Sequence, residues 1–145
     1  MTKGEIARSN FLSGYNCSQA VALAFSEELK LGEEEIKKLV VGFGGGFARQ
    51  RLICGAVSGM AFVIGGILSD GNDKGRIYAL IQNACEKFKD ELGSIICGDL
   101  LDGKVKKDLS PNPEERTEEY YKKRPCADIC AIAADIADKI IKENR

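Results

Sequence analysis

From Leu52 to Leu68 the chain runs 17 residues without a charge, just downstream of a stretch rich in glycine (Gly42, Gly44, Gly45, Gly46). An uncharged run of that length has to be covered, either by lipid or by the rest of the chain. It falls at the short end of the roughly 17–25 residues that a membrane-spanning helix needs. Gly55, Gly59, Gly65, Gly66 and Ser58 dilute its hydrophobicity, and Arg49, Arg51 and Asp70 bracket it. The pattern therefore predicts a central apolar helix over about 52–69, buried on all sides, and no membrane span.

The flanking sequence supplies amphipathic helices to cover it. Glu5 to Leu12 reads as a short helix ended by Ser13-Gly14. Asn16 suits a cap for a helix running through Cys17, Ala20, Val21 and Phe25 to Leu29. Glu33, Glu34 and Glu35 favour the first turn of a third helix reaching Phe43, because carboxylates oppose the positive end of the helix dipole. Ile77, Leu80, Ile81, Ala84, Cys85, Phe88 and Leu92 recur at three and four residues, the helical period, before Gly93 breaks the run. Short helices are expected over Ser94–Leu101 and Pro113–Lys123. A last one begins near Pro125 with Ile129, Ile132, Ile136 and Ile140 on one face, and Cys126, Cys130, Ala133 and Ala137 beside it. Period-two alternation is scarce. The expected fold is all-α, a single-domain helical bundle over residues 1–145, with 102–113 as a mobile loop.

At 145 residues one hydrophobic core is feasible without staples. A net charge of −1 gives no electrostatic case for nucleic acid. The first ten residues hold no apolar signal core, so a cytoplasmic location is expected. Thiols stay reduced there, and clustered cysteines more often bind metal or do redox work than brace a fold.

The chain has six cysteines and no histidine. That removes Ser-His and Cys-His catalysis and any site built on imidazole, haem included. Cys54 stands where the apolar helix begins. Backbone N–H groups in a first helical turn lack intrahelical partners and stabilise negative charge, and Arg49 and Arg51 are near in sequence, so a lowered thiol pKa is expected at Cys54. The bland alternative is a small buried apolar residue. The glycines match no nucleotide-binding pattern, since no Lys-Ser or Lys-Thr follows, and no nucleotide is expected. They form either a tight interhelical turn or a nest of amides around sulfur, with Gly44, Gly45, Gly46 and Gly55 as its members. Gly55 and Gly59, four apart, suit close helix packing. No CxxC occurs, which argues against zinc ribbons and thioredoxin-type dithiols. Cys126 and Cys130 share a helix face and fit either joint metal ligation or packing; Cys85 fits core packing. Cys17 and Cys97 also lie near expected helix starts.

Tyr15-Asn16-Cys17-Ser18-Gln19-Ala20, the glycine loop with Cys54-Gly55-Ala56-Val57-Ser58-Gly59, Phe88 with Gly93-Ser94-Ile95-Ile96-Cys97, and Cys126 together resemble a bacterial and archaeal family, the putative redox-active proteins known by the pattern C–GCAxxG–C–C. The resemblance spans nearly the whole chain and maps the four defining cysteines onto Cys17, Cys54, Cys97 and Cys126. It implies a helical domain with a redox or iron–sulfur role. It is also similar to a domain of split-Soret-type cytochromes, but without CxxCH or histidine the haem does not carry over.

Two mechanisms follow as expectations. Cys17, Cys54, Cys97 and Cys126 hold an iron–sulfur cluster, with Cys130 as a substitute ligand, or Cys54 attacks a disulfide or oxidant and a second cysteine resolves it. Either needs a redox partner. The rivals are a helical binding or assembly module with structural thiols and a homodimer contact, and a non-redox thiolate site for zinc or copper(I).

Overall fold

The computed structural model describes residues 1–105 and 108–145. Helices are the regular structure of the described residues, with no strand among them; the one β-type pairing is an isolated bridge between Ile53 and Ile96. Helix α1 (Lys3–Leu12) begins earlier than the sequence suggested. Thr2 and Glu5 form a reciprocal capping box that satisfies two free N–H groups of the first turn. Helix α2 (Cys17–Leu23) is capped by Asn16, as expected, but stops short of Leu29. The chain turns at Ala24-Phe25 and resumes as α3 (Ser26–Leu29). Helix α4 (Glu33–Val40) gives way to a 3-10 turn over Val41–Phe43 instead of continuing.

The central helix α6 (Gly55–Leu68) starts three residues later than expected. Leu52 and Ile53 are instead drawn out by pairing with the segment before Cys97. Cys97 N donates to Leu52 O at 2.6 Å and Cys54 N to Ile95 O at 2.8 Å. Nor is α6 buried all round. Ala56, Val57, Met60, Val63 and Ile64 are enclosed, while Phe62 is only partly covered and Gly66 is exposed. Gly55 and Gly59 do serve close packing. A Cβ on Gly55 would stand 3.2 Å from Cys17 Cβ, and one on Gly59 would stand 2.9 Å from Val21 Cβ. Among the described residues no helix is long and apolar enough to cross a membrane.

Helix α7 (Lys74–Leu92) ends at Gly93 in the left-handed region, as read from the sequence. The short helix α8 covers only Cys97–Leu101, and α9 (Glu118–Lys123) starts at the Thr117 cap, not at Pro113. Of the expected mobile loop, Lys106 and Lys107 lie outside the described residues. Helix α10 (Cys126–Asn144) follows Pro125 directly. It lies along α1, and α6 packs against α2, α10 and α7. Phe11, Phe25, Phe88, Met60 and the α10 isoleucines fill the core between them. Gly4 lets α1 approach α10: its N–H donates to Asp135 Oδ1 at 2.8 Å, and a Cβ there would collide with that carboxylate.

Candidate functional site: four thiols around one cavity

The four cysteines of the sequence pattern all stand where helices begin. Cys17, Cys97 and Cys126 are the first residues of α2, α8 and α10, and Cys54 is the N-cap of α6. The fold brings those ends together: all four border one open cavity of about 370 Å³. Gly44, Gly45, Gly46 and Gly55 line it too, with Phe11, Leu100, Tyr120 and Ile129 as apolar wall. Cys130 is fully buried behind Cys17, its thiol 3.9 Å from the Cys17 carbonyl oxygen, and does not line the cavity. Cys85 is remote from the cavity, in a separate recess with Gly93 and Ile95.

The glycine segment shapes one side. It forms a short turn, Gly44–Phe47 (α5), in which Gly45 (φ 66°) and Gly46 (φ 75°) are left-handed. Phe47, Ala48, Arg49 and Arg51 continue with positive φ. Such conformations cost L-residues of order 1–2 kcal/mol each, so this is a strained segment held by its surroundings. Ala48, Arg49, Arg51 and Leu52 donate back to the carbonyls of Gly42, Gly44, Gly45 and Gly46. A side chain at Gly46 would meet Cys97 Cβ at 2.5 Å, so the glycine lets the turn press against Cys97. Gly44 plays the same part for Asn16, whose side chain caps α2 and so fixes Cys17.

The expected activation of Cys54 is overturned. Burial pushes its thiol up to about 12, and the backbone N–H groups of Ala56 and Val57 at the start of α6 offset only part of that rise. The arginines are not where sequence proximity put them. Arg49 turns to Asp108 and Glu114, at 3.8 and 3.7 Å, and donates to the carbonyls of Ser110 and Asn112. Arg51 stands beside Cys97 instead, Nη1 to Sγ 3.9 Å. Cys97 is also raised by burial, with Arg51 pulling the other way. The hydrogen bond with Cys17 and burial both raise Cys126. At Cys17 the bond with Cys126 lowers the thiol, yet the bond with Cys130 and burial win and hold it well above its ordinary value. At neutral pH the ground state of the site is therefore a set of protonated thiols.

Sequence reasoning passed over Arg116, Arg124 and the aromatic residues of the cavity. Arg116 lies over Phe11, 4.4 Å from the ring centre, and donates to the Phe11 and Tyr15 carbonyls; Arg124 lies 4.5 Å over Tyr120 and pairs with Glu114. Arg124, two residues before Cys126, was the one available signal.

A family described as putative redox-active protein (C_GCAxxG_C_C) matches residues 15–140, a span that holds all four cavity cysteines. The chain belongs to this family. The C_GCAxxG_C_C label spells its central element G-C-A-x-x-G, whereas this member has Cys54-Gly55-Ala56, so the cysteine caps α6 and the glycine opens it. No curated protein and no solved structure matches the chain.

Proposed function

We propose that this protein is an electron carrier whose Cys17, Cys54, Cys97 and Cys126 hold an iron–sulfur cluster in the shared cavity. The observation that carries the reading is the convergence of four thiols, from four separate helix starts, on one cavity lined by arginines. The donor set suits the group, since thiolates are the usual ligands of such clusters and no imidazole competes. When bound, the cluster supplies one-electron transfer. Among the described residues no three Cys, Asp or Glu side chains stand together as a metal-ion site. Ligation requires thiolate and releases the proton, so with thiol pKa values raised by burial the cluster would bind more tightly as pH rises. The first turns of α6 and α10 direct N–H groups toward the resulting negative charge. Arg51 and Arg124 add positive charge beside Cys97 and Cys126. The glycine turn excludes side chains from that wall.

A second reading has one specific support: Cys17 and Cys126 border the same cavity, close enough that each shifts the titration of the other. Those two would oxidise to a disulfide, passing two electrons and two protons to an oxidant. Reconstitution separates the two. The reduced protein is incubated with iron and sulfide without oxygen, desalted, and followed by visible absorption before and after dithionite. A stoichiometric chromophore that bleaches reversibly is the expected result. It should be lost in Cys54→Ser and kept in Cys85→Ser. No chromophore, together with formation of a Cys17–Cys126 disulfide on mild oxidation, would overturn the cluster in favour of thiol chemistry. No chromophore and no disulfide would leave the thiols as core packing.

A further inference from the structure

Four arginines border the cysteine cavity (Arg49, Arg51, Arg116 and Arg124), against a single carboxylate, Glu114. Three are already engaged. Arg49 and Arg124 share Glu114, and Arg116 is spent on two backbone carbonyls. Arg51 is different. It is only 9% exposed, and no carboxylate stands within 4.0 Å of it among the described residues. Among the described residues the one hydrogen bond of its guanidinium is the long contact to the Cys97 sulfur, and Nη2 has no partner. Nη2 of Arg49 and Nε of Arg124, on the same cavity, also lack hydrogen bonds. Buried polar groups are nearly always satisfied, and an orphaned guanidinium is a costly exception. Its planar fork fits a two-oxygen anion. The rest of the lining is mostly apolar, as in sites that take small organic molecules, and a cavity of about 370 Å³ is of that class.

We propose that the cavity is also a binding site for a small organic carboxylate, its oxygens on Arg51 and its apolar body against the Phe11, Leu100 and Ile129 wall. The ligand would lie beside Cys97 and share the cavity with any group the thiols hold. The site goes beyond electron transfer between proteins: it gives the protein a small-molecule ligand at the same cavity.

The test uses the full chain as purified without oxygen and with reductant, titrated calorimetrically with benzoate, with its neutral isostere benzamide, and with sulfate, all at one ionic strength. The expected result is saturable binding of one benzoate per chain, with benzamide at least tenfold weaker and sulfate weaker than benzoate. Arg51→Gln should weaken benzoate by roughly 10- to 100-fold, the range for a lost hydrogen bond to a charged group. Arg51→Lys, which keeps the charge but not the fork, should fall between. Circular dichroism melting checks that each variant folds. If Arg51→Gln does not, Arg51→Lys carries the comparison. Equal binding of benzoate and benzamide, or benzoate binding indifferent to Arg51, would overturn the proposal. Sulfate binding as tightly as benzoate would overturn the organic class and assign the site to inorganic oxyanions. The titration is run on protein of measured iron and sulfide content, both metal-free and reconstituted, so failure here and failure of the cluster proposal are separate results.

Discussion

Gly46→Ala probes the contact on which the site is built. Gly46 has φ 75° and ψ 58°, and a Cβ there would stand 2.5 Å from Cys97 Cβ, 2.8 Å from Arg51 Cα and 2.8 Å from Leu52 N. Two of those three atoms are backbone and the third is bonded to backbone, so no flexible side-chain end can swing away. Left-handed alanine costs about 1–2 kcal/mol. Forcing a methyl group into packed surroundings adds about 1–3 kcal/mol. The substitution should therefore destabilise the protein by about 2–5 kcal/mol. At roughly 3–4 °C per kcal/mol for a chain of this length, the Tm should fall by about 6–20 °C. Gly42→Ala is the internal control. Its Cβ meets nothing within 4 Å and its φ is ordinary, so its effect should stay within about 0.5 kcal/mol. Both variants are read by thermal and urea unfolding of reduced protein, followed by circular dichroism. If Gly46→Ala behaves like Gly42→Ala, the turn does not press on Cys97 and the described geometry is wrong.

Three further outcomes are expected. Gly65→Ala, inside α6 with open space where the methyl would go, should stabilise the fold by about 0.5–1 kcal/mol in urea unfolding; a loss of stability would contradict the packing of α6. Asn16→Ala removes the oxygen that accepts from Gln19 N at 2.9 Å and from Ser18 Oγ at 2.8 Å, and should cost about 1–2 kcal/mol by the same assay; a neutral result would show that the cap is not made. The third is a pH effect. The Cys54 thiol, at 9.0 in the unfolded chain and about 12 when folded, keeps its proton longer in the folded protein, so its contribution is whole below pH 9 and is lost as pH rises toward 12. By pH 10.5 the stability advantage of the wild type over Cys54→Ala should have narrowed by about 2 kcal/mol. An advantage constant from pH 8 to 10.5 would mean that the thiol is not buried as described.

The helical class was readable because apolar residues recur at three and four in α7 and α10, and because Asn16, Gly93 and Pro125 mark helix ends by their own chemistry. The four cysteines were readable as a set through a resemblance and through their places near helix starts. What escaped depends on partners distant in sequence. Leu52 and Ile53 look helical by composition, yet are drawn straight by the pairing with Ile95–Cys97. Arg51 lies three residues before Cys54 but faces Cys97, because positive φ at Gly45, Gly46 and residues 47 to 49 turns the chain the other way. The sign of the Cys54 shift failed for a related reason. Helix-start amides are local and visible in sequence, whereas the burial that outweighs them comes from several elements closing over the site.

Iron and acid-labile sulfide per chain, measured on protein purified without oxygen, test the central claim most directly. Cys54→Ser, Cys97→Ser and Cys85→Ser are measured beside the wild type. The account predicts stoichiometric iron and sulfide in the wild type and in Cys85→Ser, and loss of both in the other two. A wild type free of iron and sulfide would contradict it, as would Cys85→Ser losing as much as Cys54→Ser.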